Sequence, residues 1–190
     1  MKTLSLAAIV LLLSACQVTT FEKPPIAEAA CDRQLVGLWS SIGDDAEEDG
    51  EMQLDISSTC SLDVSDRHQG EMRHGEATQL HVGKLGSQAY LWVDSSWAEQ
   101  RFESDLPPHP GDIYLLRYEV KNDELSLNST NDKVIAHRII DDEIPGDTSK
   151  IGHDLHNRVT GGPHPALLET PGLFKDEAIR FRRGSGTATP

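Results

Sequence analysis

"IYLLRYEVKNDELSL", residues 113–127, contains two runs rich in strand-forming residues, one on each side of the turn signal Lys-Asn-Asp. Such a pattern is typical of two short strands joined by a tight turn. It therefore predicts an antiparallel hairpin of the meander type.

Comparable runs lie on both sides of this hairpin. "EMQLDIS", residues 51–57, alternates apolar and polar side chains, which is the period of a half-buried strand. Further strands are expected at residues 60–66, 77–83, 88–94, 133–140 and 177–183. About eight short strands with turns between them predict an all-β fold, either an antiparallel meander barrel or a sandwich. One short helix is expected before the last strand, in "PALLET" at residues 165–170, within a long loop between Ile144 and Lys175.

The first residues have the features of an export signal. Lys2 gives a positive start, and residues 4–13 form an apolar run. A membrane-spanning helix needs about twenty apolar residues, so this run is too short to be one. We interpret residues 1–15 as a cleaved signal peptide.

The signal ends in "LSAC", residues 13–16, which resembles the cleavage motif of bacterial lipoproteins. The resemblance implies that Cys16 is the lipidation site and the first residue of the mature chain. Gln17 follows the cysteine, and in that family this implies the outer membrane, with the domain in the periplasm. A plain secretory signal that carries a cysteine is the alternative.

The segment after Cys16 contains two prolines and little periodicity, so residues 16–30 are interpreted as a lipidated flexible tether. Residues 31–183 are long enough to bury one core and are expected to form a single β-barrel domain. The last residues, 184–190, are expected to be a flexible tail.

Charge excludes one class of partner. The chain has 31 acidic and 17 basic residues and a formal net charge of −14. Nucleic acid and anionic headgroups both require a positive surface, so neither is expected to bind. The expected link to the membrane is therefore the N-terminal lipid.

Two cysteines remain once Cys16 carries lipid. Cys31 and Cys60 form an even pair in an oxidising compartment, so a disulfide is expected, with a redox or metal role as the alternative. Closing a loop of about thirty residues stabilises a fold by about 3.5 kcal/mol in the chain-entropy model.

The stretch "LVGLWSS", residues 35–41, places Gly37 two residues before Trp39 on an expected strand. Followed by a meander, a helix and a last strand that ends in arginines, it resembles the start of lipocalin-like, or calycin, barrels. The resemblance implies that Trp39 closes one end of the barrel and that an arginine of the last strand covers its ring. Arg180, Arg182 or Arg183 could fill this role, and we expect Arg182 to do so. A tryptophan in the core of another β-domain is the alternative.

Two segments contain several residues of the types that bind metal ions. "GDDAEEDGE", residues 43–51, fails as an EF-hand loop because Ile56 occupies the position of the bidentate glutamate, and an exposed acidic hairpin is expected instead. His153, His156 and His164 form a candidate zinc or copper site if a helical turn and the following loop bring them together.

The chain contains no nucleophile elbow, zinc-protease motif or glycine-rich phosphate loop, so we expect neither catalysis nor a cofactor. The first functional hypothesis is a binding or scaffolding module that engages another envelope protein. The alternative is a lipocalin-like carrier of a small apolar ligand, and metal handling by the histidines is the third. Aromatic residues make up only 5% of the chain, so a filled interior is as reasonable as an open pocket.

Overall fold

The computed structural model describes residues 17–42, 51–68, 71–102, 109–151 and 154–184. The strands within these ranges are β1 (Gln17–Phe21), β2 (Gly37–Ser41), β3 (Met52–Ile56), β4 (Ser61–His68), β5 (Glu71–His74), β6 (Thr78–Gln79), β7 (His81–Leu85), β8 (Gln88–Asp94), β9 (Ile113–Lys121), β10 (Glu124–Ser129), β11 (Gly146–Ile151), β12 (Asp154–Val159) and β13 (Ile179–Arg183). The α-helices are α1 (Ser95–Arg101) and α2 (Asp132–Ile140), and Pro165–Glu169 is a 3₁₀ helix. A search of these ranges finds no helix that is long and apolar enough to cross a membrane.

The described strands belong to one mixed sheet of thirteen, so the β-rich class is confirmed and the predicted strand number is too low. The main hydrogen-bonded order is β11-β12-β1-β9-β10-β13-β2-β3-β4-β5. Strand β8 lies between β7 and β9, and β6 pairs with β4. The hydrogen-bonded order is not closed into a barrel, because β6, which pairs with β4, and β7, which pairs with β8, are two separate strands with Leu80 between them.

The predicted hairpin at residues 113–127 is confirmed by the pairing of β9 with β10. Its turn residues, Asn122 and Asp123, both have positive φ angles, of 52° and 59°. Asparagine and aspartate tolerate this conformation better than other residues with a side chain, and it matches the twist of a two-residue hairpin. The turn signal therefore fixes the register of the two strands.

Buried apolar side chains form two clusters, one on each side of β8. Leu91 and Val93 belong to the first cluster, whereas Tyr90 and Trp92 belong to the second. Because successive side chains of a strand point to opposite faces, a strand buried on both faces has an uninterrupted apolar run. Other members of the first cluster are Trp39, Leu54, Val64, Leu125 and Phe181. Other members of the second are Phe21, Ile135, Leu167, Leu173 and Phe174.

The strand predicted at residues 133–140 is wrong, because this segment is helix α2. Its buried residues are Asp132, Ile135, Ala136 and Ile139. These residues are three, one and three positions apart, which places them on one face of a helix. Helix α2 packs against β1, β11 and β12. Asn131 occupies the N-cap position, where asparagine is favoured.

The tether predicted at residues 16–30 is not seen in its described part. Residues 17–21 form β1, which pairs in parallel with β12 over five residues. Thr19 and Thr20 are buried, and their hydroxyls donate to Asp132 Oδ1 at 2.8 Å and Asp112 Oδ2 at 3.2 Å. The folded domain therefore includes the described residues from Gln17 onward and does not begin at Cys31.

A buried ion pair fixes the other side of β1. Asp112, just before β9, accepts from Arg158 of β12 at 2.7 Å and 2.8 Å through its two carboxylate oxygens. The Asp112 side chain is 1% exposed and the Arg158 side chain 28%. Thr20 shares the same carboxylate, so this pair links β1, β9 and β12.

The long loop predicted between Ile144 and Lys175 contains the antiparallel hairpin of β11 and β12. Its sequences, "GDTSKI" and "DLHNRV", are polar and lack the apolar alternation that predicts a strand. The buried Asn157 instead forms hydrogen bonds with Thr19 of β1 and Asp132 of α2. The helix predicted in "PALLET" is the 3₁₀ helix, with Leu167 and Leu168 buried. Gly184 donates to Leu38 O at 2.7 Å, so the chain is held at least to that residue. The rest of the predicted tail, 185–190, lies outside the described residues.

Candidate functional site

A cavity of about 140 Å³ lies within the first apolar cluster. Strands β3, β4 and β8 contribute much of its wall, through residues such as Leu54, Ile56, Val64 and Val93. In β3 the buried residues are Met52, Leu54 and Ile56. The alternation of apolar and polar residues in the sequence therefore gives this strand one apolar face that points into the cluster. The interior is therefore neither completely filled nor large.

Helix α1 closes one side of the cavity. Trp97 and Ala98 of this helix line the wall, together with Phe102 at its C-cap. The helix begins where Asp94 accepts from the Trp97 backbone N–H at 2.9 Å. The indole of Trp97 donates to Glu76 O at 2.7 Å, which fixes the ring in position.

The cavity has one polar end. Thr19, Ser129, Thr130, Asp132 and Lys175 line it there. Asp132 Oδ1 accepts from Thr19 at 2.8 Å and from Thr130 at 3.3 Å, and Asp132 Oδ2 lies 3.3 Å from Lys175 Nζ. Burial raises the pKa of Asp132, although the hydroxyls and the ammonium partly oppose this shift. An apolar wall with a few converging polar groups is typical of small-molecule sites.

A second buried carboxyl, Glu99, lies on α1 beside this cavity. Tyr114, which lines the cavity, donates to Glu99 Oε1 at 3.1 Å. Burial raises the pKa of Glu99, since the side chain is only 5% exposed. Among the described residues, its Oε2 and the hydroxyls of Ser95 and Ser96 are buried without a hydrogen-bond partner. Burial also raises the pKa of Tyr114, and the neighbouring carboxylates add to the effect.

We expect Glu99→Gln to raise the free energy of unfolding by about 1 kcal/mol at neutral and alkaline pH. A carboxyl whose pKa is raised in the folded state destabilises that state once the pH exceeds its unfolded value, about 4.3. The difference in stability between the variant and the parent protein should therefore vanish below about that pH, grow as the pH rises and become constant above the raised pKa of the folded state. Urea unfolding across the pH range measures it. Glu119→Gln, at an exposed position of β9, is the matched control and should show no such trend.

Trp39 lies in the same apolar cluster but does not line the cavity. It is fully buried, and its Nε1 donates to Leu35 O at 2.7 Å. The arginine over its ring is Arg183, with Cζ 4.1 Å from the ring centroid, and not Arg182, which is exposed. Gly37 has φ +130°, and a Cβ there would meet Arg183 Nη1 at 2.9 Å. The register of β13 against β2 explains why Arg183 covers the ring, because Arg183 lies opposite Trp39 whereas Arg182 lies opposite Ser40.

The three candidate metal ligands are not brought together where the structure describes them. His156 is on strand β12, not on a helical turn, and its Nε2 lies 3.2 Å from Thr20 Oγ1. Burial lowers the pKa of His156, and His109, stacked on it, lowers the pKa further. His164 Nε2 instead contacts Thr160 O at 3.1 Å, and His153 lies outside the described residues. In the described ranges, no group of three His, Cys, Asp or Glu side chains could hold a metal ion.

The Cys31–Cys60 disulfide is confirmed, and it ties the segment before β2 to the turn between β3 and β4. Cys16 lies outside the described residues, so its lipidation stays a prediction. Most of the acidic run, residues 43–50, also lies outside them.

The polar end of the cavity is not among the sites that the sequence predicts. Asp132 follows "STN", residues 129–131, which is a helix N-cap composition, so treating residues 133–140 as a helix would have marked Asp132 as its first residue. No local signal indicates Lys175, because only the fold brings it next to Asp132.

No family model, curated protein or solved structure matches this chain.

Proposed function

We propose that this protein is a non-catalytic carrier that holds a small apolar ligand, anchored by lipid on Cys16 to the periplasmic face of the outer membrane. The observation that supports carriage is the apolar cavity of about 140 Å³. An engineered cavity of about 150 Å³ lined by apolar side chains stays dry and binds benzene, so a space of this size suits a compact apolar molecule.

The lipocalin-like barrel is part of the proposal. Strand β6 pairs with β4 and strand β7 pairs with β8, and Leu80 between them donates to Cys60 O at 2.8 Å. We propose that residues 78–85 act as one interrupted strand that brings β4 and β8 around the cavity. The Trp39–Arg183 contact supports the likeness to such barrels.

The anchor and its location rest on the sequence "LLLSACQ", residues 11–17. The Cys31–Cys60 disulfide supports an oxidising compartment such as the periplasm. Mass spectrometry of the protein from membranes should find the chain starting at an acylated Cys16. An unprocessed chain, or a mature chain without lipid, would contradict the anchor and leave the cavity proposal standing.

A binding or scaffolding module of the envelope is the second candidate. Within the described residues, β11 pairs on one side only, with β12, and so has an open edge. An open edge can accept a strand from a partner protein. Such a module needs no ligand in the cavity, which separates the two candidates experimentally.

Carriage is tested with toluene as an apolar probe and the Cys16→Ser protein, which cannot be acylated at that position. We expect toluene to raise the unfolding temperature, because a ligand that binds only the folded state stabilises it. Val93→Phe, which fills the cavity, should abolish the rise. Val120→Phe makes the same change on β9 away from the cavity and should retain it. Absence of any rise in the Cys16→Ser protein would leave the module as the better proposal.

A further inference from the structure

At the polar end of the cavity, Lys175 is the group that a ligand can reach. The Asp132 side chain is 8% exposed, whereas the Lys175 side chain is 36% exposed. The Asp132 carboxylate accepts three contacts, from Thr19, Thr130 and Lys175, out of about four that a carboxylate can take. An ammonium group has three protons, and Asp132 is the one acidic partner of Lys175 among the described residues.

The apolar part of the cavity limits the size of the ligand's hydrocarbon portion. Its apolar walls include Val18 of β1, Leu116 of β9 and Leu127 of β10. A volume of about 140 Å³ is comparable with that of engineered cavities that hold one benzene ring. A hydrocarbon portion of about six to eight carbons therefore fits, and a longer chain extends out of the cavity.

We propose that the ligand is a monocarboxylic acid whose short hydrocarbon portion fills the cavity and whose carboxylate pairs with the Lys175 ammonium at its polar end. This inference rests on the proposed function, because it names the chemical class of ligand for the same cavity. Ser129 also lines the cavity, and its hydroxyl would be the donor of a second hydrogen bond to that carboxylate.

The nearby Asp132 carboxylate does not prevent this pairing. The Lys175 ammonium acts to lower the pKa of Asp132, and the Asp132 carboxylate in turn raises the pKa of Tyr114. Burial already raises the pKa of Asp132, so Asp132 can take up a proton as a second carboxylate approaches. Binding of the acid then leaves one negative charge, on the ligand, to pair with Lys175.

Isothermal titration calorimetry on the Cys16→Ser protein tests the proposal with three probes of equal chain length: octanoate, octanol and octylamine. We expect octanoate to bind most tightly. Lys175→Gln should weaken octanoate binding about fivefold and leave octanol binding unchanged. Lys133→Gln, at an exposed position of α2, is the matched control and should change neither.

Other outcomes overturn the inference in distinguishable ways. Equal affinity for octanol and octanoate would mean that Lys175 does not recognise the head group, although the cavity still binds apolar molecules. Tightest binding of octylamine would make Asp132 the recognition group. If toluene binds but none of the three amphiphiles does, the inference fails and the carrier proposal survives. If toluene also fails to bind, the carrier proposal falls with the inference.

Discussion

Trp39→Ala is expected to lower the free energy of unfolding by about 4 kcal/mol, the usual cost of truncating a buried tryptophan. The ring is fully buried in the first apolar cluster, and Arg183 stacks on it. Truncation leaves a void in the cluster and removes the hydrogen-bond donor to Leu35 O. Urea unfolding followed by circular dichroism measures the change. An unchanged dependence on urea would show that the compactness of both states is retained.

Urea unfolding of variants at Arg182 and Arg183 tests which of the two arginines stabilises the fold through Trp39. Arg183 donates to Val36 O and Gln34 O, each at 2.7 Å, in addition to covering the ring. Arg183→Met should therefore cost about 2 kcal/mol. Arg182→Met, at an exposed position, should cost less than about 0.5 kcal/mol. The reverse order would restore Arg182 to the role that the sequence suggested for it.

Arg158→Met is expected to cost about 4 kcal/mol, because it leaves the Asp112 carboxylate buried without its cation. Asp112 is 1% exposed and cannot reach water without a local opening of the structure. Asp112→Asn should cost less, about 2 kcal/mol, since the Arg158 left behind is 28% exposed and keeps some hydration. Urea unfolding of both variants measures this asymmetry.

Two controls separate the ion pair from general effects of the substitutions. Arg180→Met removes a cation that is 62% exposed and 3.7 Å from Glu124, so it should change stability by less than about 1 kcal/mol. The double variant Asp112→Asn, Arg158→Met should be more stable than Arg158→Met alone, because no buried charge is left unpaired. Equal costs for Arg158→Met and Arg180→Met would contradict the burial argument.

The sequence predicts those parts of the fold whose signals are local. Strands β3, β9 and β10 have the alternation or turn chemistry that fixes them without help from the rest of the chain. Helix α2 is mistaken for a strand because an apolar run such as "VIAHRII" suits a strand or a helix, and its length does not decide. The spacing of Ile135, Ala136 and Ile139 carries the helical signal.

The burial and pairing of strand β1 could not be predicted from its own residues. The hydroxyl of Thr19 meets Asp132, 113 positions along the chain, and that of Thr20 meets Asp112, 92 positions away. Val18, Thr19, Thr20 and Phe21 are strand-forming residues, but nothing local indicates that the two threonines are buried. The polar end of the cavity has the same origin, because β1, α2 and the segment after the 3₁₀ helix meet only in the folded chain.

The position of β1 changes how an acylated Cys16 would hold the protein. A flexible tether of fourteen residues would have separated the lipid from the domain by roughly 20 Å. Instead one peptide link, about 3.8 Å between Cα atoms, separates Cys16 from the first residue of β1. Val18 of that strand is part of the cavity wall. An acylated Cys16 would therefore hold the folded domain directly at the membrane. One wall of the cavity, at Val18, would then lie two residues from the lipid.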